Sequence, residues 1–269
     1  MFSPYYARAR RRGAAAAENH CALNVALYGP RARWAMTERG AAALERAAAH
    51  LAIGPSRLEW RGDMLRVVIA EATMPWFGRV RGEVRLHPRA LPGRGFAIDP
   101  AGRHRWTPLA PLARVEVALT EPALRWSGAG YCDMNAGAAP LEADFARWDW
   151  SCARVGAEAA VLYETWPRGG AAQTLALRFD GGGTCEMFDP PPPLALPRTR
   201  WRVARSTRAE AARVVRTLED TPFYARSVLA TRLLGTEAAG VHESLSLDRF
   251  RAPWVQAMLP FRMPRRAGW

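Results

Sequence analysis

Apolar residues along this chain fall in short runs, many alternating with polar positions, and glycine- or proline-bearing turns separate the runs. Residues 21–27, 33–37, 65–70, 80–86, 114–119, 161–165 and 174–179 have this character and read as strands, because side chains on a strand alternate faces with a period of two. The sequences Tyr28-Gly29-Pro30, Gly54-Pro55-Ser56, Arg61-Gly62-Asp63, Pro92-Gly93 and Asp180-Gly181-Gly182-Gly183 supply turns. A chain with this rhythm is all-β, mainly antiparallel, and closes into barrels or sandwiches. Two segments depart from it. Residues 41–52 are rich in good helix formers, although an alanine-rich strand has the same composition, and residues 207–218 place Ala211, Val214, Val215 and Leu218 at helical spacing. One or two short helices are therefore expected. The proline run 190–193 is stiff polyproline, either a linker or a rigid crossing loop.

The chain has 269 residues, which exceeds the roughly 250 at which single cores stop growing, so two units are expected, 1–140 and 141–269. The formal charge of +13 by itself points to an anionic partner such as nucleic acid or an acidic membrane. All 38 basic residues are arginine, however, and alanine, glycine and proline are abundant, so much of the excess reflects GC-rich coding. No basic-aromatic motif of a known nucleic-acid module is present, and nucleic acid is not an expected partner. Eleven tryptophans predict an aromatic interior. Cys21, Cys132, Cys152 and Cys185 show neither a C-x-x-C pair nor zinc-like spacing, so a reduced, cytoplasmic protein without a structural metal is expected. The arginines after residue 7 lead into no apolar stretch, which argues against a secretory or twin-arginine signal. No run approaches the roughly 18 apolar residues of a spanning helix, so any membrane contact is peripheral.

Candidate chemistry concentrates in two short stretches. Residues 130–137, G-Y-C-D-M-N-A-G, set Tyr131 and Asp133 two positions apart, and His104 and Trp106 repeat that spacing upstream. If both stretches are extended, each pair points to one side of its strand. One wall then carries a carboxyl, a phenol, an imidazole and an indole, a set suited to protonating an electron-rich, water-insoluble substrate. Asp133 lies among Tyr131, Cys132, Met134 and glycines with no adjacent arginine, and burial raises carboxyl pKa values. Taken alone, the same residues also fit an aspartate capping a β-turn over 135–137. Cys132 alternates away from that wall and reads as packing, as do Trp126, Trp148 and Trp150. His242 and Glu243 are adjacent, face opposite ways on a strand, and read as structural.

Several segments resemble the carotenoid 1,2-hydratases, also called hydroxyneurosporene synthases. They are F-S-P-Y-Y-A-R-A-R-R-R-G, E-N-H-C-A-L-N-V-A-L-Y-G, R-W-A-M-T-E-R-G, G-R-H-R-W-T-P-L-A-P, G-Y-C-D-M-N-A-G, residues 142–151, T-P-F-Y-A-R-S and H-E-S-L-S-L-D-R-F-R-A-P-W-V-Q-A-M-L-P-F-R-M-P. They are long, in order and spread over almost the whole chain. The resemblance implies a cofactor-independent hydro-lyase of photosynthetic bacteria that adds water across the terminal C1–C2 double bond of acyclic carotenoids such as neurosporene and lycopene. It also implies two lipocalin-like β-barrels in tandem. Members carry a further strand before the segment resembling F-S-P-Y-Y, where this sequence has Met1, so the first barrel is expected to lack its first strand.

In such a reaction a proton goes to the less substituted alkene carbon and water captures the tertiary cation. The resemblance assigns the proton donor to Asp133. Aromatic faces stabilise a cation without trapping it, at about 0.5 to 2 kcal/mol each, and Trp106 and Tyr131 are placed to do so. His104 either orients the water and takes up its proton or hydrogen-bonds Asp133. The competing reading is a non-catalytic lipocalin-like carrier of a carotenoid or another lipid. The substrate is too apolar to diffuse in water, which implies peripheral contact with the intracytoplasmic membrane. Arginines interspersed with Phe250, Trp254, Met258 and Phe261 are one candidate surface, unless these apolar residues close the second barrel, and the arginines of residues 8–12 are another.

Overall fold

The turn-bounded alternating runs do form strands. In the computed structural model, which describes residues 2–13 and 15–266, every predicted run overlaps one. Two large sheets dominate. One has the order Ala123–Gly137, His104–Glu121, Arg79–Pro88, Met64–Ala72, Ser56–Arg61, His50–Ile53 and Leu44–Ala47, with Phe96–Ala97 paired to the second of these. The other has the order Cys185–Met187, Gln173–Phe179, Glu158–Pro167, Phe145–Val155, Thr236–Ser246, Tyr224–Leu233 and Ala211–Asp220. Neighbours are nearly all consecutive in sequence, as short turns between antiparallel strands produce. Among the described residues neither path closes on itself through backbone pairing. The mainly antiparallel all-β class is as expected.

The helices differ from expectation. Residues 41–52 form a 3₁₀ turn, Ala41–Ala43, followed by the hairpin Leu44–Ala47 with His50–Ile53, which is the alanine-rich strand alternative. Residues 207–218 are not helical, because they belong to the strands Arg205–Arg208 and Ala211–Asp220. Register shifts at Val214/Arg216 and Thr217/Glu219 each slip the pleat, so apolar positions there recur at intervals that imitate a helix. The β-branched Val214, Val215 and Thr217 favour the strand. The α-helices are Pro4–Arg11, Leu141–Asp144, Leu247–Phe250 and Pro253–Arg262, more than the one or two expected. The first is started by Ser3, whose Oγ accepts the Tyr6 N–H at 2.9 Å, and by proline at its first position.

Two compact units are each discontinuous in sequence. One comprises Met1–Pro88, Arg114–Gly130 and Gln256–Trp269, the other Arg89–Ala113 and Tyr131–Val255. The expected division between residues 140 and 141 falls inside the second unit, and so does the whole proline run, whose end forms the strand Pro193–Leu196. The strand His104–Glu121 marks the change between units in its own burial. Even positions His104, Trp106, Pro108 and Ala110 are buried first, residues 110–113 are all buried, and after the boundary the odd positions Val115, Val117 and Leu119 are buried, so the alternation changes phase where the chain passes from one unit to the other.

In the first unit Ala35, Ile69, Val80, Leu86 and Val117 are buried around an ion pair, Arg39 to Glu71 at 2.8 Å, to which the Ser56 hydroxyl donates at 2.6 Å. Trp126, read from sequence as core, is 47% exposed, because it lies on the terminal strand of its sheet. In the second unit the sheet has two unlike faces. Registered pairs put Asp149, Glu164 and Ser244 on one side, and Trp150, Tyr163 and Glu243 on the other. The first side is filled by a polar network. Ser206 donates to Asp149 at 2.8 Å, as do Ser244 and Arg147, while Arg208 donates to Glu164 at 2.6 Å and buried His242 to the Ser206 carbonyl at 2.7 Å. The space among these groups admits no water-sized molecule.

Candidate active site

The opposite, aromatic face of that sheet carries the candidate residues. Within the second unit, the segments 104–113 and 131–137 lie against it. Trp106 meets Tyr163 edge-on with ring centroids 5.6 Å apart, Tyr131 packs on Trp150 at 5.1 Å, the Tyr163 hydroxyl donates to Asn135 at 3.3 Å, and Arg154 donates to the Ala113 carbonyl at 2.9 Å. Residues 131–137 are extended, belonging to the strand Ala123–Gly137, so the β-turn alternative does not apply. The two-residue spacing then does what the alternation requires, and Tyr131 and Asp133 point to one side.

Asp133 is the centre of the arrangement. One of its oxygens, Oδ2, accepts hydrogen bonds from Trp106 Nε1 at 2.7 Å and from the Tyr131 hydroxyl at 2.9 Å. Oδ1 accepts none among the described residues, which leaves it to carry a proton. Burial pushes the carboxyl above the ordinary aspartate range. The two donated bonds pull it back, the charge of Glu243 raises it further, and that of Arg226 lowers it. Arg226 is itself engaged by Glu243 at 2.6 Å. Tyr131 is held well above the usual phenol range by burial and by the Asp133 charge, and is a neutral donor at ordinary pH.

His104 is placed differently from one of its two expected roles. It is buried two residues along the strand from Trp106, and its Nε2–H donates to Asp144 Oδ2 at 2.6 Å, not to Asp133. Its backbone N–H is fixed by Asp99 Oδ1 at 2.6 Å, and its ring meets Phe145 edge-on at 4.9 Å. The bond to Asp144 fixes the orientation of the ring, with Nδ1 on the side of Gly137. Residue 137 must be glycine for this pose, since a Cβ there would lie 2.5 Å from His104 Nδ1.

The structure thus joins Asp133, Tyr131 and Trp106 directly and ties His104, two residues along the strand from Trp106, to a second carboxylate, that of Asp144. Sequence reading missed Asp144, although it lies in the 142–151 stretch already singled out. Trp148, read as core, is buried, whereas Trp150, also read as core, is only partly so. Both belong to the aromatic face, Trp148 edge-on to Tyr163 at 5.8 Å and Trp150 on Tyr131, and the indole N–H of each is buried without an acceptor among the described residues. Glu243, read as structural, lies on this face in register with Trp150. Cys132 and Cys152 are pushed up to about 11 and about 12 by burial, so the neighbouring thiols stay protonated and offer no strong nucleophile.

A family model described as carotenoid hydratase CrtC matches residues 1–269. The chain belongs to the carotenoid hydratase family. A relative named acyclic carotenoid 1,2-hydratase from Thiocapsa roseopersicina is 56% identical over 273 residues, covering 100% of this chain and 67% of the relative. Proteins of the same name from Rubrivivax gelatinosus and Cereibacter sphaeroides are 46% and 41% identical, covering 99% and 100% of this chain and 68% and 96% of their own lengths. Among solved structures, a Nitrosomonas europaea protein provisionally called AttH superposes with a TM-score of 0.58 at 13% identity, over 80% of this chain and 77% of that one. That likeness is one of fold alone and places this carotenoid hydratase with lipocalin-like antiparallel β proteins.

Proposed function

We propose that this chain is a carotenoid 1,2-hydratase, a hydro-lyase acting on the terminal C1–C2 double bond of acyclic carotenoids such as neurosporene and lycopene by acid catalysis. The observation that carries the reading is the half-buried Asp133 carboxyl, with one oxygen held by Trp106 and Tyr131 and the other unbonded. Asp133 Oδ1–H delivers its proton to C2, and the alkene electron pair forms the new C–H bond. The tertiary cation left at C1 lies against the faces of Trp106, Tyr131 and Trp150. Water attacks C1 and gives up a proton to His104 Nδ1, which returns it to Asp133, so the sum is addition of one water.

A non-catalytic carrier needs no proton donor, so the two readings differ in what Asp133 does. The test is Asp133→Asn with lycopene in detergent. Hydration falls by about 10²- to 10⁴-fold, as loss of a general acid predicts, while pigment binding followed by its absorption shift is kept. Unchanged hydration refutes the assignment.

Among the described residues no helix is long and apolar enough to cross a membrane. Peripheral contact is part of the proposal. Of the expected C-terminal residues, Phe250 is buried against Phe223, whereas Trp254, Met258 and Phe261 are 49%, 42% and 73% exposed. Their spacing puts them on one face of the helix Pro253–Arg262, as an interfacial helix requires.

A further inference from the structure

The most exposed aromatic groups among the described residues lie at a hairpin tip that the site does not use. Trp76 is 84% and Phe77 95% exposed, between the strands Met64–Ala72 and Arg79–Pro88. Neither ring makes an aromatic contact among the described residues. The tip is nevertheless ordered. Thr73 Oγ1 donates to the Trp76 carbonyl at 2.5 Å, Thr73 N–H to the Gly78 carbonyl at 3.0 Å, and Met74 N–H to the Trp34 carbonyl at 2.9 Å on the neighbouring strand. Two large apolar side chains are therefore presented outward on a closed turn, not left on a loop free to collapse over them.

The charges around the tip select what it meets. Arg79 follows it, is exposed and has no hydrogen-bond or ion-pair partner among the described residues. Arg33, also exposed, precedes the residue that anchors Met74, while Arg81, two positions beyond Arg79, is paired with Glu121 at 3.8 Å. A second copy of a chain with a formal charge of +13 would bring the same arginines against these, whereas an anionic bilayer surface complements them. Indole and phenyl rings beside arginines are the composition of a membrane–water interface, where rings enter the headgroup boundary and guanidinium groups stay with the phosphates.

We propose that the tip Trp76–Phe77 is a wedge that inserts into the interface of an anionic bilayer, with Arg79 and Arg33 against the lipid phosphates. The proposal rests on the hydratase reading for its purpose, because an enzyme taking one end of a carotenoid needs a fixed seat on the membrane holding it. It predicts binding to vesicles of phosphatidylcholine with phosphatidylglycerol, weaker on phosphatidylcholine alone and weakened by salt. The full chain and the W76S/F77S variant are sedimented with both vesicles, alongside hydration of lycopene in detergent.

Because both side chains stand in water, the variant keeps its melting temperature and its hydration rate in detergent. Its affinity for anionic vesicles falls by at least about tenfold, since burying even one such ring is worth that much. Vesicle binding equal to that of the unaltered chain overturns the wedge, as does a shared failure of both proteins to bind. A tip that instead joins two copies shows as an association lost in the variant at constant vesicle affinity, and also overturns it. Absence of hydration in detergent with vesicle binding intact counts against the hydratase reading alone.

Discussion

Removing the Tyr131 hydroxyl while keeping its ring tests whether Asp133 acts as a neutral acid. In Tyr131→Phe the packing on Trp150, 5.1 Å between centroids, is retained, and the bond to Asp133 Oδ2, 2.9 Å long, is lost. That bond favours the ionised carboxyl. Hydrogen bonds to charged groups contribute about 1.5 to 3 kcal/mol, and one pKa unit corresponds to about 1.36 kcal/mol, which gives a rise of about one to two units. Trp106 still holds the same oxygen and the carboxyl is only half-buried, so the lower end, about one unit, applies. Only the protonated acid reacts, hence kcat/KM is lost as pH rises through this pKa. The alkaline limb of the profile therefore moves up by about one unit, while the plateau below it drops because the acid is weaker. The assay is kcat/KM for lycopene hydration across the neutral range, with the infrared carbonyl band of the protonated carboxyl as a direct readout. An alkaline limb that stays in place, or moves down, refutes the assignment of that limb to Asp133.

Neutralising a nearby negative charge has the opposite sign. Glu243→Gln removes a group that raises the Asp133 pKa, so the alkaline limb moves down. Stability follows the same linkage. The folded pKa of Asp133 lies above its unfolded value, so its contribution is present below the unfolded pKa and is lost as pH rises through the folded one. Asp133→Asn consequently melts higher than the unaltered chain on the alkaline side and gains nothing on the acid side, as calorimetry at two pH values will read. Gly137→Ala drives a Cβ into His104 and costs about 1 to 3 kcal/mol of overpacking, with hydration falling more than pigment binding. Gly82→Ala, where φ is +140° and a Cβ would collide with the Ala118 carbonyl and Leu119, lowers the melting temperature and leaves the alkaline limb unchanged.

What could be read from sequence was what alternation encodes locally. The strands were legible, and so was the pairing of Tyr131 with Asp133, because both follow from a period of two on a single segment. That Trp106 reaches the same carboxyl depends on two strands being extended side by side, and motif spacing was enough to suggest it. His104 was half legible. Its presence near the site followed from its offset to Trp106, but its partner Asp144 sits 40 positions away, and no periodicity links the two. Residues 207–218 were misread because bulges hide the strand period. Trp148 was read correctly as buried core, but the place of Trp150 beside Tyr131 was missed, because a tryptophan on a strand reads as core until the register says which face it takes. The discontinuous units were invisible, since the phase change at Ala110–Ala113 spans only four residues and resembles an ordinary apolar run.

The register of the strand Phe145–Val155 separates two environments that the proposed reaction cannot mix. Odd positions such as Asp149 face serines and arginines that together satisfy a carboxylate, and even positions such as Trp150 face rings and Asp133. A carboxyl keeps its proton only where compensating cations are absent or engaged elsewhere, and Arg226 is engaged by Glu243. A carbocation survives only where no ionised oxygen or thiolate can trap it, and the thiols on or beside this face are held protonated. Slipping this strand by one residue would exchange the two sets, bringing Asp149 against the cation and removing Trp150 from Tyr131. The polar network on the far side therefore does more than fill space, because its paired charges fix the register that keeps the reacting face aromatic, and weakening it is expected to cost hydration as well as stability.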